Sequence, residues 1–493
     1  MPMRIQIQVR IVSDDDTVLS EDVIACFDKG DDQLEEIGLS LEQAKTVLAG
    51  AQVSLVEAQA TSFLTRHRDC EQCGRHLQSK GRCRFLFRTA FGTIPLVSPR
   101  VHRCGCQPAA SKTFSPLTAL FTEHTAPELL YLETRWASLM SYGLTAGLLK
   151  EVLPVDTRIN AATIRNHLHK VALRQEAELD DGQLRLAEVE SDPADGKEVP
   201  VPEGPIVVGI DGAYLRSWHD KGKKFEVIVG KSVPEFRDHR YFGLVQTHDD
   251  KPEHRLFEVL HGQDLRINQG LTFLTDGGDS VRSFLDEISP GAETYLDWFH
   301  ITMRLTVLSQ YTKGLAHYNP VEALALHSRL ERIKWRLWHG DTDVALSRAG
   351  ELAADVAILT SDYPSLQRFA KAAASLITYI DNNAAAIPDY GERRRHAEPI
   401  STAFTESTVN LVVSKRFAKK QQMQWSRAGA HLLLQTRTQT LDGTLPENGT
   451  RPWPQMTLPH QPPQPEHPTE FYALVRNRVR SSRNYARRPA GIA

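Results

Sequence analysis

Ile206-Val207-Val208-Gly209-Ile210-Asp211-Gly212 is an apolar run that closes on a carboxylate, and the pattern returns at Leu271-Thr272-Phe273-Leu274-Thr275-Asp276-Gly277. Short β-branched and apolar runs bounded by glycine read as buried strands. The first strand is expected to end at Asp211 and the second at Asp276. A third run leads into Leu296-Asp297-Trp298-Phe299-His300, and Glu406 stands much later in a polar, basic stretch read as a helix. An Asp-Gly pair after a strand is by itself most often only a turn. The combination says more, because strand ends are rigid platforms that hold carboxylates at fixed spacing. Two strand-end aspartates and a distant helical glutamate suit two hard cations engaged in phosphoryl transfer. Asp279 and Asp297 compete for the second position. Asp279 is expected to face the start of the next helix instead, where an acid suits the helix dipole.

Between the two aspartates, Phe225–Val229 and Tyr241–Val245 read as strands. The order is therefore strand with Asp, two strands, strand with Asp, strand, helices, helix with Glu. This resembles the order of an RNase H-like fold, in which the first and fourth strands set their aspartates side by side. The expected class is α/β and multidomain.

The flanks divide by composition. Residues 1–66 read as a strand followed by a helical region, and 67–112 hold five of the six cysteines. Cys70-x-x-Cys73 and Cys104-x-Cys106 flank a hairpin whose strands alternate with period two, Arg82–Arg88 and Ile94–Val101. Such a ribbon brings both pairs to one end, where four thiolates suit one structural Zn²⁺. Cys26 and Cys83 read as ordinary thiols. Residues 113–176 read as helices. One helix stops at Pro154, and the next is capped by Asn160, with Ile164, Leu168 and Val171 on one face and Arg165, Asn166 and Lys170 on the other. If this pair is a helix-turn-helix, the helix from Ala161, with Arg165 and Asn166, would enter the major groove. Plain helical packing is the alternative.

An acidic linker is expected over 177–203, the first part of the catalytic domain over 204–310, a helical insertion over 311–400, the glutamate helix with a basic segment over 401–445, and a Pro-rich, basic tail over 446–493. The chain has 493 residues and a formal net charge of −3, so positive charge matters by placement rather than by total. Lys415, Arg416, Lys419 and Lys420 cluster after Glu406 and are expected to contact DNA phosphates. Apolar runs are too short for a membrane span and the first residues lack the apolar core of a signal peptide, so a cytoplasmic protein without membrane partners is expected.

On the segments Gly209–Tyr214, Thr275–Asp279, Asp297–His300 and Glu406–Asn410, the run Ser414-Lys415-Arg416, then Lys419–Met423 and Trp425, the chain resembles bacterial insertion-sequence transposases of the DDE type, in the Kra-type group, with Mutator-like elements as more distant relatives. The resemblance implies an RNase H-like catalytic domain with a helical insertion, preceded by zinc-ribbon and helical DNA-binding modules. It implies catalytic roles for Asp211, Asp276 and Glu406, which would hold two Mg²⁺ or Mn²⁺. Asp297, His300 and Asn410 would be accessory. The implied partners are double-stranded DNA, as terminal inverted repeats and as target, and a second copy of the chain, since two element ends must be cut together. The implied location is the bacterial cytoplasm, at the nucleoid. A DNA-binding protein that no longer cuts, and a structure-specific nuclease of the same fold, are the rival expectations.

Overall fold

The strand that carries Asp211 lies at the centre of a mixed five-stranded sheet in the computed structural model. Residues 3–30, 33–106, 112–179, 204–263, 265, 269–288, 293–401, 407–418 and 423–445 are described, so Glu406, Lys419, Lys420, nearly all of the expected linker and the C-terminal tail lie outside the described residues.

The chain begins with an antiparallel ribbon, β1 (Met3–Val12) and β2 (Val18–Lys29), on which α1 (Leu41–Arg66) packs. Ser40 and Gln43 form a reciprocal capping box at the start of α1. The expected hairpin is β3 (Ser79–Thr89) and β4 (Gly92–His102), with β5 (Thr113–Phe114) beside β4. A short α2 (Pro116–Leu120) precedes three longer helices, α3 (Pro127–Leu139), α4 (Tyr142–Val152) and α5 (Ala161–Glu178). Asn160 caps α5 by accepting from the backbone of Ala162 at 2.9 Å and Thr163 at 3.1 Å.

The central sheet consists of β6 (Ile206–Arg216), β7 (Lys224–Val233), β8 (Arg240–Leu244), β9 (Leu271–Thr275) and β10 (Glu293–Leu296), with α6 (Pro252–His261) before β9 and α7 (Asp279–Ile288) after it. Its spatial order is β10-β9-β6-β7-β8; β6, β7 and β8 are antiparallel, whereas β9 runs parallel to both β6 and β10. The α/β class is therefore as expected. Ile206, Val208 and Ile210 point to a core with α6 and α7, and Ala213 and Leu215 belong to a second core. Burial on both faces explains why these strands read as unbroken apolar runs.

Two expected boundaries move. The helical body does not begin at 311: α8 (Trp298–Leu315) starts directly after β10 and shares one core with α9 (Pro320–Trp338), α10 (Thr342–Ile358), α11 (Leu366–Asn382) and α12 (Tyr390–Arg395). Nor does the region 113–176 have a core of its own. Leu129, Leu149, Ile164 and Leu168 pack into the same core as β6, β7, a π-helical segment over Val409–Ala418 and α13 (Arg427–Asp442). Three-helix modules of this length have little apolar surface to bury alone, and the sheet supplies the rest.

Two buried arginines make that junction. Arg437 is 2 % exposed and donates to the carbonyls of Val412 at 2.6 Å, Leu411 at 2.5 Å and Ser138. Arg416, 4 % exposed, donates to the carbonyl of Ala137 at 2.8 Å and stacks over Tyr142 and Trp425. Ala137 and Ser138 lie in the last turn of α3, whose carbonyls have no intrahelical partner, and cations suit that helix end. Burial, and then the neighbouring Arg416, bring Arg437 down to about 10, so it stays charged at neutral pH. Arg437→Met is expected to leave its carbonyls unpaired at about 1–3 kcal/mol each. A melting temperature lowered by several degrees would register this; an unchanged one would show that the bonds contribute nothing.

Candidate active site and metal centres

Asp211 does not end its strand. β6 continues to Arg216, because its antiparallel pairing with β7 runs on to Arg216↔Lys224. What ends at this level is β9, whose last parallel partner pair is Ile210↔Thr275. Asp211 is thus the next residue along β6 and Asp276 the next along β9. The same register pairs Leu296 of β10 with Thr275, so Asp297 follows in line. Three acids therefore stand at one level across three adjacent strands, which is a consequence of parallel pairing and matched register.

Their surroundings differ. Asp211 is 9 % exposed. Burial first, and then the negative charge of Asp276, push its carboxyl up to about 6; nearby His300 works in the opposite direction. Asp276 is half-buried at the mouth of a turn, and its carboxylate accepts from the backbone N–H of Gly278 at 2.8 Å. Asp297 is fully buried and caps α8 by accepting from the N–H of Phe299 at 2.8 Å, while its own N–H donates to the carbonyl of Thr275 at 2.8 Å. That backbone link ties β10 to β9 at the site, and it makes Asp297 a structural anchor between strand and helix. Asp279 is exposed at the first turn of α7 and pairs with Arg282 at 3.1 Å, as expected of an acid at a helix start. His300 is half-buried on the first turn of α8.

The helical body grips the Asp276 turn. Tyr379 of α11 donates its hydroxyl to the carbonyl of Asp276 at 2.8 Å, and Arg282 donates to the carbonyls of Gly277 at 3.1 Å and Asn382 at 2.7 Å. Gly277 has φ +79°, and a Cβ there would stand 2.5 Å from Oδ1 of Asn383, so both conformation and space require glycine. Sequence reasoning missed Tyr379 and Asn383. Their only trace in the sequence is a polar ring on the apolar stripe of α11 and an amide just beyond its end.

No third Cys, His or acid among the described residues joins Asp211 and Asp276 in a set of ligand atoms lying within 4.8 Å of one another, and Glu406 lies outside those residues. The donor chemistry nonetheless fits a divalent cation: two oxygen acids at one level, one of them raised by burial and then by the other's charge. The pH dependence follows. A carboxyl whose folded pKa is raised favours the protonated fold between about pH 4 and pH 6, so stability from this group falls as pH rises through that window without metal. A cation competes with that proton. The stabilisation given by Mg²⁺ or Mn²⁺ is therefore expected to be larger at about pH 7.5 than at about pH 5.5 in a thermal melt. Asp276, Asp297 and His300 are the charged groups facing Asp211. A metal shift that is the same at both pH values would contradict this linkage.

Lys415 is exposed, as is Asn410, but Arg416 is a core cation and does not offer its guanidinium to solvent. The basic segment is wound as a π-helix, in which Val412, Val413, Arg416 and Phe417 are the buried side. Arg165 and Asn166 are exposed on α5 and hydrogen-bonded to each other at 3.2 Å. The connection between α4 and α5 spans Leu153–Asn160, longer than a tight helix-turn-helix turn.

The cysteine pairs do meet. Ser79 stands opposite Val101 in the β3–β4 hairpin, so the turn before β3 and the segment after β4 share one end. Cys70 sits in a tight turn closed by Cys70 N–H to the Arg75 carbonyl and Gly74 N–H to the Cys70 carbonyl, both at 2.8 Å. The sulfurs of Cys70 and Cys106 are 3.5 Å apart, those of Cys73 and Cys104 are 3.3 Å apart, and all four ligand atoms lie within 4.8 Å of one another. Tetrahedral Zn–S bonds of about 2.3 Å place sulfurs about 3.8 Å apart, so the donor set fits zinc. A hydrogen bond from the Cys106 backbone is the chief cause that brings Cys104 down to about 7, whereas Cys104 is the chief cause that pushes Cys106 up to about 12. Cys83 is half-buried and Cys26 exposed.

A second cluster, Glu176, Asp249 and His431, also lies within ligand distance. Arg255 stands among these groups, paired with both acids and 3.0 Å from Nε2 of His431. A guanidinium in that place supplies the positive charge, and the cluster reads as a buried ionic tie between α5, α6 and α13.

No protein-family model matches the chain, and no curated protein matches it.

Proposed function

We propose that the chain is a DNA transposase of the DDE type, which cuts the ends of an insertion sequence and joins the freed 3′-OH to target DNA. One observation carries this reading: Asp211 and Asp276 stand at the same level at adjacent parallel strands, with the Asp211 carboxyl raised first by burial and then by its neighbour's charge. The sheet order β10-β9-β6-β7-β8, with β9 and β10 running parallel to β6, supports an RNase H-like catalytic domain. The large helical body between β10 and Glu406 supports an insertion of the transposase kind.

In this reading Asp211, Asp276 and Glu406 hold two Mg²⁺ or Mn²⁺, which when bound lower the pKa of the attacking hydroxyl and balance charge on the leaving oxygen. The residues of the chain do the rest. Tyr379 and Arg282 fix the backbone of the Asp276 turn, so that its carboxylate keeps one direction. Asp297 anchors β10 to α8 and thereby places His300 beside Asp211, where an imidazole can donate to a phosphate oxygen. Lys415 supplies exposed positive charge after the glutamate. Cys70, Cys73, Cys104 and Cys106 hold one structural Zn²⁺. The partners are double-stranded DNA, at element ends and target, and a second copy of the chain.

The test is strand cleavage and joining by purified protein on a duplex taken from the DNA flanking its gene, with Mg²⁺ or Mn²⁺ present. Cleavage followed by covalent joining is the expected result. Cleavage without joining would point to a nuclease, and binding without cleavage to a protein that only binds DNA.

A further inference from the structure

Beyond Asp211 the strand β6 continues with a regular alternation. Ala213, Leu215 and Ser217 are buried, whereas Tyr214, Arg216 and Trp218 are exposed, the two aromatics at 64 % each. The course of the chain is held through Trp218 by its N–H donating to the carbonyl of Trp425 at 2.9 Å and by Ser217 N–H donating to the carbonyl of Lys223 at 2.9 Å. An exposed tyrosine near the end of β6 and an exposed tryptophan two residues past it are costly to leave in water, since each carries a large apolar surface.

The charge around them is positive. From Tyr214 to Glu226 there are four Lys and Arg residues, Arg216, Lys221, Lys223 and Lys224, against Asp220 and Glu226. All four are exposed. Tyr214 follows Asp211 by three residues on β6, so its side chain leaves the opposite face of the strand, where its cross-strand partner Glu226 first, and then burial, raise its phenol above the usual range.

Alternate residues on a strand advance about 6.8 Å, so Tyr214 and Arg216 set a ring and a guanidinium side by side, and Trp218 follows two residues past the end of β6. Flat rings with interleaved cations match the faces and phosphates of unpaired nucleotides, because every base offers a π-face once it leaves the duplex stack. Duplex DNA offers no such faces along its length. Cutting at an element end also requires the strand beside the scissile bond to be reached and held.

We propose that Tyr214, Arg216 and Trp218 form a platform for an unpaired DNA strand, with bases stacked on Tyr214 and Trp218 and a phosphate on Arg216. The proposal rests on the transposase reading and adds a strand-specific surface to it.

The test is the affinity of the full chain for a labelled oligothymidine single strand and for a duplex of random sequence, measured by fluorescence anisotropy. Tyr214→Ala and Trp218→Ala are each expected to weaken single-strand binding about ten-fold, within the range for one stacked base. Trp218→Phe should hold close to wild type, and duplex affinity should change less than about two-fold, since duplex binding is set by phosphate contacts elsewhere. Unaltered single-strand affinity in both alanine variants, or equal loss for single strand and duplex, overturns the platform. As a check independent of folding in the variants, a bromodeoxyuridine single strand should crosslink wild-type protein within residues 206–221; crosslinks confined to other segments also overturn it. If the wild type binds neither DNA, the transposase reading falls as well. If it binds and cleaves duplex while the stripe proves inert, only the platform is lost.

Discussion

Asp211→Asn and Asp276→Asn should each lower strand cleavage by several orders of magnitude while leaving DNA affinity close to wild type. Both substitutions keep the size of the side chain and remove the anion. A neutral amide oxygen is a poor ligand for a hard cation, and metal activation of nucleophile and leaving group supplies most of the acceleration in such a site. Asp211 is the more informative position. Its carboxyl is buried and already raised to about 6, so the metal-free fold tolerates a neutral group there. Asp211→Asn should therefore not destabilise the protein, which allows comparison with wild type at equal folding. Asp297→Ala should behave differently. Asp297 is fully buried as the cap of α8, and losing that cap costs about 0.5–2 kcal/mol of stability whatever happens to cleavage. Thermal melts and cleavage rates on the same preparations separate the two cases; equal losses of stability at Asp211 and Asp297 would contradict this division.

Loss of the cysteine centre should have the second large effect. The segment around Cys70, Leu77 and Val101 has a very small core, joined only by Cys104 and Phe114 among the described residues. A core of that size cannot order the turn by itself, and structural zinc contributes about 10–16 kcal/mol of apparent binding energy in comparable peptide sites. Purified protein is expected to carry about one zinc per chain, as one four-ligand site implies. Cys73→Ser or a strong chelator should release it and open the segments around Cys70–Leu77 and Cys104–Cys106 to proteolysis, while the hairpin packed on α1 and the central sheet, with their separate cores, continue to resist. Metal-free protein that is as resistant as the untreated sample would rule out a structural zinc.

Much of the central sheet was legible because strands buried on both faces are written as continuous apolar runs, and in β9 Asp276 and Gly277 mark where the strand ends. The class, the strands and the level shared by Asp211 and Asp276 follow from that. The extent of β6 was not legible. Tyr214 and Arg216 break the apolar run, yet pairing with β7 carries the strand through them. β2 was missed for a similar reason: Glu21 and Asp22 interrupt Val18–Lys29, and most of its residues are exposed. Arg416 was read as a phosphate contact because it stands in a basic run. Its burial depends on the α3 carbonyl of Ala137, far away in the chain, which no local pattern announces. Tyr379 is hidden in the same way, since its partner is the backbone of Asp276. The cysteines were legible because their spacing and the hairpin between them are local.

The most direct measurement compares strand cleavage and gel-shift affinity of wild type and Glu406→Gln on one duplex from the DNA flanking the gene. If the chain is the proposed transposase, the expected result is cleavage reduced by several orders of magnitude with affinity retained, because the proposed third metal ligand is lost while the surfaces proposed to meet DNA are unchanged. Full cleavage by Glu406→Gln would contradict a centre built from Asp211, Asp276 and Glu406.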